Sequence, residues 1–215
     1  MRKAGLLLLG LVGLGWPPTV ARASTWEMDP SHTSIEFSVR HMMATTVKGQ
    51  FEKVKGTIEL DDKDIAKSSV AVTIDVASLN THEPKRDAHL RSPDFFDVAK
   101  FPTATFKSTK VQRVGKNKLK VTGNLTLHGI TKPVVLEVDG PSPSYRTPFG
   151  TTVRGIHATG TLNRKDFEIT WNKALDNGGL LVGNEVGLDL NTEVSEKKPP
   201  AASASSDRPA AKRNR

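Results

Sequence analysis

Apolar and polar residues alternate along much of the chain. Ile35, Phe37 and Val39 are separated by polar residues. The same period of two returns in five further segments, which span residues 70–76, 121–127, 134–138, 167–171 and 186–190. Antiparallel strands with one buried and one solvated face have this pattern. The alternation therefore predicts an all-β domain.

Turn-forming residues separate the alternating segments. Glycine, asparagine and proline cluster at residues 115–117, 129–133, 141–143 and 177–179, where hairpins or loops are expected. Strands of this kind must close on themselves or cover their edges. We therefore predict a closed or nearly closed antiparallel β-barrel of about eight strands. A two-sheet sandwich is the alternative.

Residues 81–106 do not follow the alternation. This stretch holds three prolines, and a proline removes a hydrogen-bond donor from a strand. It also gathers histidines, cations, acids and phenylalanines. We predict a short helix and loop at the mouth of the barrel, where recognition groups usually lie. Ser92 followed by Pro93 is typical of a helix start.

Small residues stand at several inward positions of the predicted barrel. Gly123 lies between Val121 and Leu125, and Ala158 lies between Ile156 and Gly160. They indicate an apolar cavity, although they would equally relieve crowding at a bulge. A long, dry cavity suits a long, apolar ligand. The residues predicted to line the ligand tail are Phe37, Val39, Val72, Ile74, Phe95, Phe96, Gly123, Leu125, Ala158, Phe167 and Ile169.

Four polar residues are candidates for a ligand head group at the mouth. His41 continues the inward positions of Phe37 and Val39, and Lys85, Arg86 and His89 come from the central stretch. Arginine offers a fork of donors to phosphate or carboxylate, and histidine adds a charge or a neutral donor. The alternative for His41 is a strand end that faces water. The alternative for Arg86 is an ion pair with Asp87 that orders the loop.

Both ends of the chain differ from the middle. Residues 1–23 are typical of a cleaved signal peptide: Arg2 and Lys3 precede an apolar run, and a small-residue cleavage site ends at Ala23. An uncleaved membrane anchor is the alternative. We expect a periplasmic or secreted protein. The chain has no cysteine, so its core must hold without disulfides. Residues 195–215, rich in proline, alanine and serine, predict a disordered basic tail.

Net charge and sequence motifs argue against several classes of function. The formal charge is +8, of which the signal segment carries +3 and the tail +4, so residues 24–194 carry only +1. This near-neutral body argues against nucleic-acid binding. Sequence patterns for serine hydrolases, phosphate-binding loops and zinc proteases are absent. We therefore expect no enzyme, no metal and no cofactor other than a bound lipid. The tail is a candidate for weak contact with an anionic membrane or cell wall, and a homodimer stays open.

Five blocks of sequence resemble one known family. They are DPSHTSIEFSVRHMMATTVKGQFEKVKGTI, KRDAHLRSPDFFDVAKFPTATFKSTKV, GNLTLHGITKPVVLEV, LNRKDFEITWN and VGNEVGLDL. Their order and spacing over residues 25–194 are similar to the YceI-like family of exported polyisoprenoid-binding proteins. One departure is Glu168, where the family pattern favours glycine after the block from Arg164 to Phe167. The backbone bulge that the family pattern implies at this position is therefore in doubt for this chain.

The resemblance implies an extended, lipocalin-like antiparallel β-barrel with a short helical insertion. It also implies a long pocket that holds a polyisoprenoid, an isoprenoid quinone or a similar amphiphile, with the tail inside and the head group towards the opening. We expect a lipid-binding protein for transport, storage or stress protection. The alternatives are an enzyme acting on an isoprenoid or lipid, and a surface interaction module that uses the basic tail.

Overall fold

The computed structural model of the protein describes residues 23–176 and 178–197. The predicted signal peptide therefore lies outside the described residues except for Ala23. The predicted tail also lies outside them, apart from its first three residues. Ser195 and Glu196 belong to the last strand, and the Lys197 N–H donates to the Thr25 carbonyl at 2.8 Å. The last strand thus continues two residues past residue 194.

Strands make up most of the described chain. They are β1 (Ser24–His41), β2 (Thr45–Phe51), β3 (Val54–Leu60), β4 (Ser69–Asp75), β5 (Leu79–Asn80), β6 (Thr103–Arg113), β7 (Lys118–Leu127), β8 (Ile130–Asp139), β9 (Tyr145–Arg146), β10 (Thr152–Asn163) and β11 (Val182–Glu196). One α-helix, α1, spans Pro84–Arg91, and short 3₁₀ turns span Ile65–Lys67, Val76–Ser78 and Arg164–Phe167. No helix in this part of the chain is long and apolar enough to cross a membrane.

Eight of the strands close into an antiparallel barrel. The order around it is β1, β3, β4, β6, β7, β8, β10 and β11, and β11 pairs with β1 to complete the circle. The short strands β5 and β9 only add to β2 and β10 at the margins. Closure removes the exposed edges that an open sheet of this size would present. The barrel prediction is confirmed, and the two-sheet alternative is wrong.

The long first strand makes the barrel asymmetric. Residues Ser24–Glu27 of β1 pair with β3, whereas Ile35–His41 pair with β2. The pairing shifts between Met28 and Thr33, so β1 changes partner at a bulge. We call the barrel end with the β1–β2 turn and the start of β11 the hairpin end. The other end, which holds Trp26 and Leu60, is the Trp26 end.

The central stretch forms a helix and loop, as predicted, but the helix begins earlier. Glu83 caps α1 through its side chain, which accepts from the Lys85 N–H at 3.0 Å, and Pro84 is the first helical residue. Ser92 ends the helix instead of starting one, because its N–H donates to the His89 carbonyl. The Ser92–Pro93 prediction was therefore wrong: a proline suits the first helical position, but it also follows helix ends.

Two further local predictions differ from the structure. The alternating segment 167–171 is not a strand: Phe167 closes a 3₁₀ turn, and the chain then runs irregularly to Asn172. Pro133, expected in a loop, lies within β8. Only residues 136–139 of β8 pair with β10, so Pro133 needs no donor on that side.

Candidate ligand-binding cavity

The barrel encloses a cavity of about 250 Å³. Its wall consists of the inward residues of the barrel strands, together with residues from α1 and the loop after it. Ser68, Arg164 and Thr192 also contribute to the wall, yet the surface that faces the cavity is apolar. A space of this kind selects hydrocarbon over water, because water there would find no hydrogen-bond partners.

The Trp26 end of the cavity is plugged. Trp26, Leu60 and Val194 are almost fully buried and pack together there. The Arg154 guanidinium lies over the Trp26 ring, 5.1 Å from its centroid. Arg154 also donates to both carboxylate oxygens of Asp62, at 3.0 and 2.7 Å. This fork holds the arginine above the plug and supports it from outside.

The wall near the hairpin end is less covered. Phe37 and Val39 of β1 and Val182, Val186 and Leu188 of β11 all border the cavity, and all five are only partly buried. They lie on the part of β1 that pairs with β2 and on the first half of β11. The hairpin end is therefore the side from which an apolar chain has the shortest way in.

Aromatic rings from the central stretch cover this side of the cavity. Phe95 and Phe96 border it together with Leu90 of α1. Phe95 packs against Trp171 with ring centroids 5.1 Å apart, and the His89 ring lies 4.8 Å from the Trp171 ring. Ring contacts with Trp171 thus join α1 and the loop after it to the segment that follows Phe167, across the barrel end.

Nine of the eleven predicted tail-lining residues border the cavity. These are Phe37, Val39, Val72, Ile74, Phe95, Phe96, Leu125, Ala158 and Ile169. Gly123 does not, because the Phe106 ring covers it: a Cβ built on Gly123 would lie 2.3 Å from that ring. Gly123 therefore makes room for a core phenylalanine, which was the alternative reading of the small residues. Phe167 is buried behind the wall, close to His128.

The four predicted head-group residues lie at the hairpin end, but two of them have internal partners. Arg86 donates to the Thr81 hydroxyl at 2.7 Å and to the Thr81 carbonyl at 2.8 Å. His89 Nε2 lies 2.8 Å from an Asp94 carboxylate oxygen. Lys85 is exposed on α1, and His41 is half-buried at the end of β1, where it pairs with Thr45 and does not border the cavity.

Thr81 explains the Arg86–Asp87 pair. The Thr81 N–H and hydroxyl donate to one Asp87 oxygen at 2.9 and 2.5 Å, while Arg86 binds the other side of the same threonine. Both Thr81 and Asp87 are buried. The two charges order the loop through the threonine between them, and not through direct contact. Arg86 is thus engaged through Nε and Nη2 in this arrangement.

Arg164 is the charged residue that borders the cavity. It is 4% exposed, and its guanidinium donates to the carbonyls of Gly183, Ile169 and Trp171 at 2.7 to 2.9 Å. Longer contacts reach Val182 and Asn184. Burial lowers the pKa of the Arg164 guanidinium below its ordinary value, because the charged form loses water. The side chain ties the 168–171 segment to the start of β11.

Sequence reasoning missed several wall residues at the hairpin end. Arg164 belongs to the family-like block LNRKDFEITWN, but no feature of the neighbouring sequence indicates that five acceptors surround its guanidinium. Val186 and Leu188 had the right alternation and were predicted only as strand residues. Their inward parity was a usable signal. Trp171 had the same parity, although the strand predicted for it is absent.

One histidine–carboxylate group lies outside the cavity. Asp29, His32 and Glu193 bring their side-chain ligand atoms within 4.8 Å of one another at the β1 bulge. His32 Nδ1 lies 2.8 Å from Asp29 Oδ2. This contact holds the pKa of His32 above and that of Asp29 below its ordinary value. Since the pair is exposed and its charges compensate each other, an ion pair accounts for it.

Known proteins are similar to this chain in sequence and in fold. The model of the YceI-like domain matches residues 26–194, nearly the whole described chain. The chain belongs to the YceI-like family. A UPF0312 protein of Vibrio cholerae is 40% identical over 169 residues, which cover 78% of this chain and 89% of that protein.

Solved YceI-like structures have the same fold. The YceI protein of Campylobacter jejuni is 30% identical, with a TM-score of 0.63 over 74% of this chain and 90% of that one. A polyisoprenoid-binding domain from Saccharophagus degradans reaches a TM-score of 0.56 at 16% identity, over 80% of this chain and 98% of that one. At this identity the likeness to the Saccharophagus domain concerns the fold alone.

Proposed function

We propose that this YceI-like barrel is an exported binding protein that holds a long-chain amphiphile, with its tail in the cavity. The observation that carries the proposal is the cavity inside the barrel, whose facing surface is apolar. The name of the Saccharophagus domain supports an isoprenoid as the ligand class. The leader-like pattern of residues 1–23 supports export.

The tail supplies most of the binding free energy in this proposal. Moving hydrocarbon out of water gains about 0.8 kcal/mol per methylene. A chain of several isoprene units therefore stays bound without any polar contact inside the barrel. The plug at Trp26 would limit how deep the tail goes, and this supports a head group at the hairpin end.

Head-group selection falls to His41, Lys85, Arg86 and His89 in this proposal. Lys85 is exposed and free to meet an anion, whereas Arg86 and His89 exchange a present partner for a ligand oxygen. The exchange of charge-assisted bonds is nearly balanced. These residues therefore tune the choice of head group more than the total affinity. The proposed role is carriage or storage, with no chemical step.

Native mass spectrometry with organic extraction tests the proposal. The protein is purified from the periplasm of a host that contains its own lipids. We expect an extra mass that extracts as a prenyl or alkyl amphiphile. A ligand-free mass, unchanged after incubation with a prenyl alcohol, a prenyl phosphate and a fatty acid, would contradict the proposal.

A further inference from the structure

The hairpin end exposes a small apolar patch. Met42 and Met43 form the β1–β2 turn and are 48% and 67% exposed, and Leu180 on the neighbouring loop is 38% exposed. The Met42 N–H donates to the Leu181 carbonyl at 2.8 Å, which joins the two loops. We call Met42, Met43 and Leu180 the methionine patch.

The methionine patch adjoins the cavity wall. Val39 borders the cavity from β1, three residues before Met42, and Val182 borders it from β11, two residues after Leu180. Both valines are only partly buried. The methionine patch therefore begins within three residues of two valines that border the cavity. The opposite end of the cavity has the Trp26 plug instead.

The size of the patch favours a membrane over a second copy of the chain. A stable protein dimer buries about 800 Å² on each partner, far more than three side chains supply. A few exposed apolar side chains suffice for shallow, reversible insertion into the boundary of a bilayer. Methionine is unbranched and adapts to irregular surroundings such as acyl chains.

The charge around the methionine patch favours anionic lipids. Residues 39–49 carry Arg40 and Lys48 and no acidic residue. Arg40 lies at the turn itself, where it donates to the carbonyls of Met43 and Ala44. On the facing loop, Lys173 is balanced by Asp176. Cations next to an apolar tip add electrostatic attraction to a negatively charged leaflet.

We propose that the barrel docks on an anionic phospholipid bilayer through the methionine patch. The amphiphile enters and leaves the cavity at this docked end. The exchange route rests on the proposed lipid-binding function, whereas docking itself does not need an occupied cavity. Docking shortens the path of the tail through water, because the less covered part of the cavity wall and the methionine patch lie at the same end of the barrel.

A double substitution, Met42→Asn with Met43→Asn, tests the docking. Both positions have left-handed backbone conformations, with φ of 51° and 57°. Asparagine tolerates this conformation better than most residues and carries no charge, so the turn should persist. We expect binding to phosphatidylglycerol-containing vesicles to fall at least about tenfold, since two apolar side chains are lost. Transfer of a fluorescent fatty acid to these vesicles should slow similarly.

The matched control is Phe149→Ser in the loop that joins β8 to β10 at the other end of the barrel. Phe149 is 94% exposed, so its loss removes apolar surface without disturbing the core. All variants keep the same chain ends, so differences between them report on the substituted loops. Unchanged vesicle binding by the asparagine variant would overturn the proposal, as would a loss of binding in the Phe149 variant.

Two further measurements separate this proposal from the proposed function and from dimerisation. Lipid extraction is run on every variant. A lipid-free protein that binds vesicles would contradict the cavity function and leave the docking intact. A lipid-loaded protein that ignores vesicles would overturn docking alone. Light scattering gives the oligomeric state of each protein. A dimeric parent together with a monomeric asparagine variant would assign the methionine patch to a second copy of the chain and overturn membrane docking.

Discussion

Arg164 shows how one buried side chain organises a barrel end. Its donors meet carbonyls from two separate segments, residues 169–171 and 182–183. A buried guanidinium is costly to desolvate, so each of these acceptors matters. The carbonyls of Ile169 and Trp171 depend on it in return, because these two residues lie outside the strands. The residue therefore supports the cavity rim where the wall is least covered.

Replacing Arg164 by lysine should destabilise the protein by about 2 to 4 kcal/mol, although the charge is kept. Lysine lacks the planar fork, so carbonyls of Ile169, Trp171 and Gly183 lose partners. Chemical denaturation measures the change in the free energy of unfolding. The control is Arg113→Lys at an exposed position on β6, which should change this quantity by less than about 0.5 kcal/mol. Equal effects of the two substitutions would contradict the role given to Arg164.

Two small residues were both predicted to line the ligand tail, but only one of them borders the cavity. Gly123 and Ala158 both stand at inward positions between larger apolar residues. In the barrel the Phe106 ring fills the space at Gly123, whereas Ala158 borders the cavity. Alternation identifies the inward face, but it does not tell which neighbour across the ladder leans over a small residue. That choice belongs to packing between strands.

At the scale of the elements, the turn after Phe167 keeps its shape without the expected glycine. Glu168 adopts a left-handed conformation, with φ of 58° and ψ of 18°. Its N–H donates to the Arg164 and Lys165 carbonyls and ends the 3₁₀ turn. Glu168 therefore adopts the left-handed conformation that glycine would favour, and the hydrogen bonds of its N–H stabilise it there.

We expect Glu168→Gly to stabilise the protein by about 0.5 to 1 kcal/mol, because glycine adopts this conformation without steric cost. Thermal and chemical unfolding report the change. Glu137→Gly is the control, since Glu137 is exposed in the middle of β8 with extended backbone. There glycine should destabilise by about 1 kcal/mol. A loss of stability in the Glu168 variant would show that its side chain contributes more than the strain costs.

The elements with the strongest patterns were the most predictable. Period-two alternation placed β1, β4, β7, β8 and β11 correctly. The segment 167–171 has the same alternation, but Arg164 captures its carbonyls, so it cannot join a ladder. The start of α1 was also missed, because Glu83–Pro84 and Ser92–Pro93 both suit a helix boundary and only the tertiary contacts of Thr81 and Asp87 choose between them.

At the scale of the whole molecule, the cavity is what remains when eight strands close and their inward side chains do not fill the space. Ala158 lies on β10 opposite Leu190 and Val138, which also border the cavity. A larger residue there would occupy volume that a ligand needs. The same substitution outside the barrel would change nothing inside, which gives a matched pair for testing the cavity.

Ala158→Leu should lower the amount of bound lipid at least about tenfold, because the larger side chain occupies cavity volume and forcing a tail past it costs about 1 to 3 kcal/mol. The control is Ala71→Leu, at an exposed position on β4. Extraction and mass spectrometry quantify the lipid, and circular dichroism confirms that both variants are folded. Full lipid loading in a folded Ala158 variant would exclude this part of the wall from the ligand site.

The sequence by itself determined the β architecture, the inward face of most strands and the family. These follow from local features: the period of two, the turn residues and the order of the sequence blocks. Local order is readable because side-chain direction along a strand depends only on parity. The nine predicted residues that border the cavity were found by this rule or by the aromatic content of the central stretch.

Only the tertiary structure decided where the cavity is plugged, which polar groups are already bonded and which small residues face open space. Trp26 meets Val194, and Thr81 separates Arg86 from Asp87, through contacts that no local pattern encodes. Closure of the barrel joins the first and last strands, so residues far apart in the chain share one wall. Volume and hydrogen-bond partners depend on all strands together, and for that reason they appear only in the folded chain.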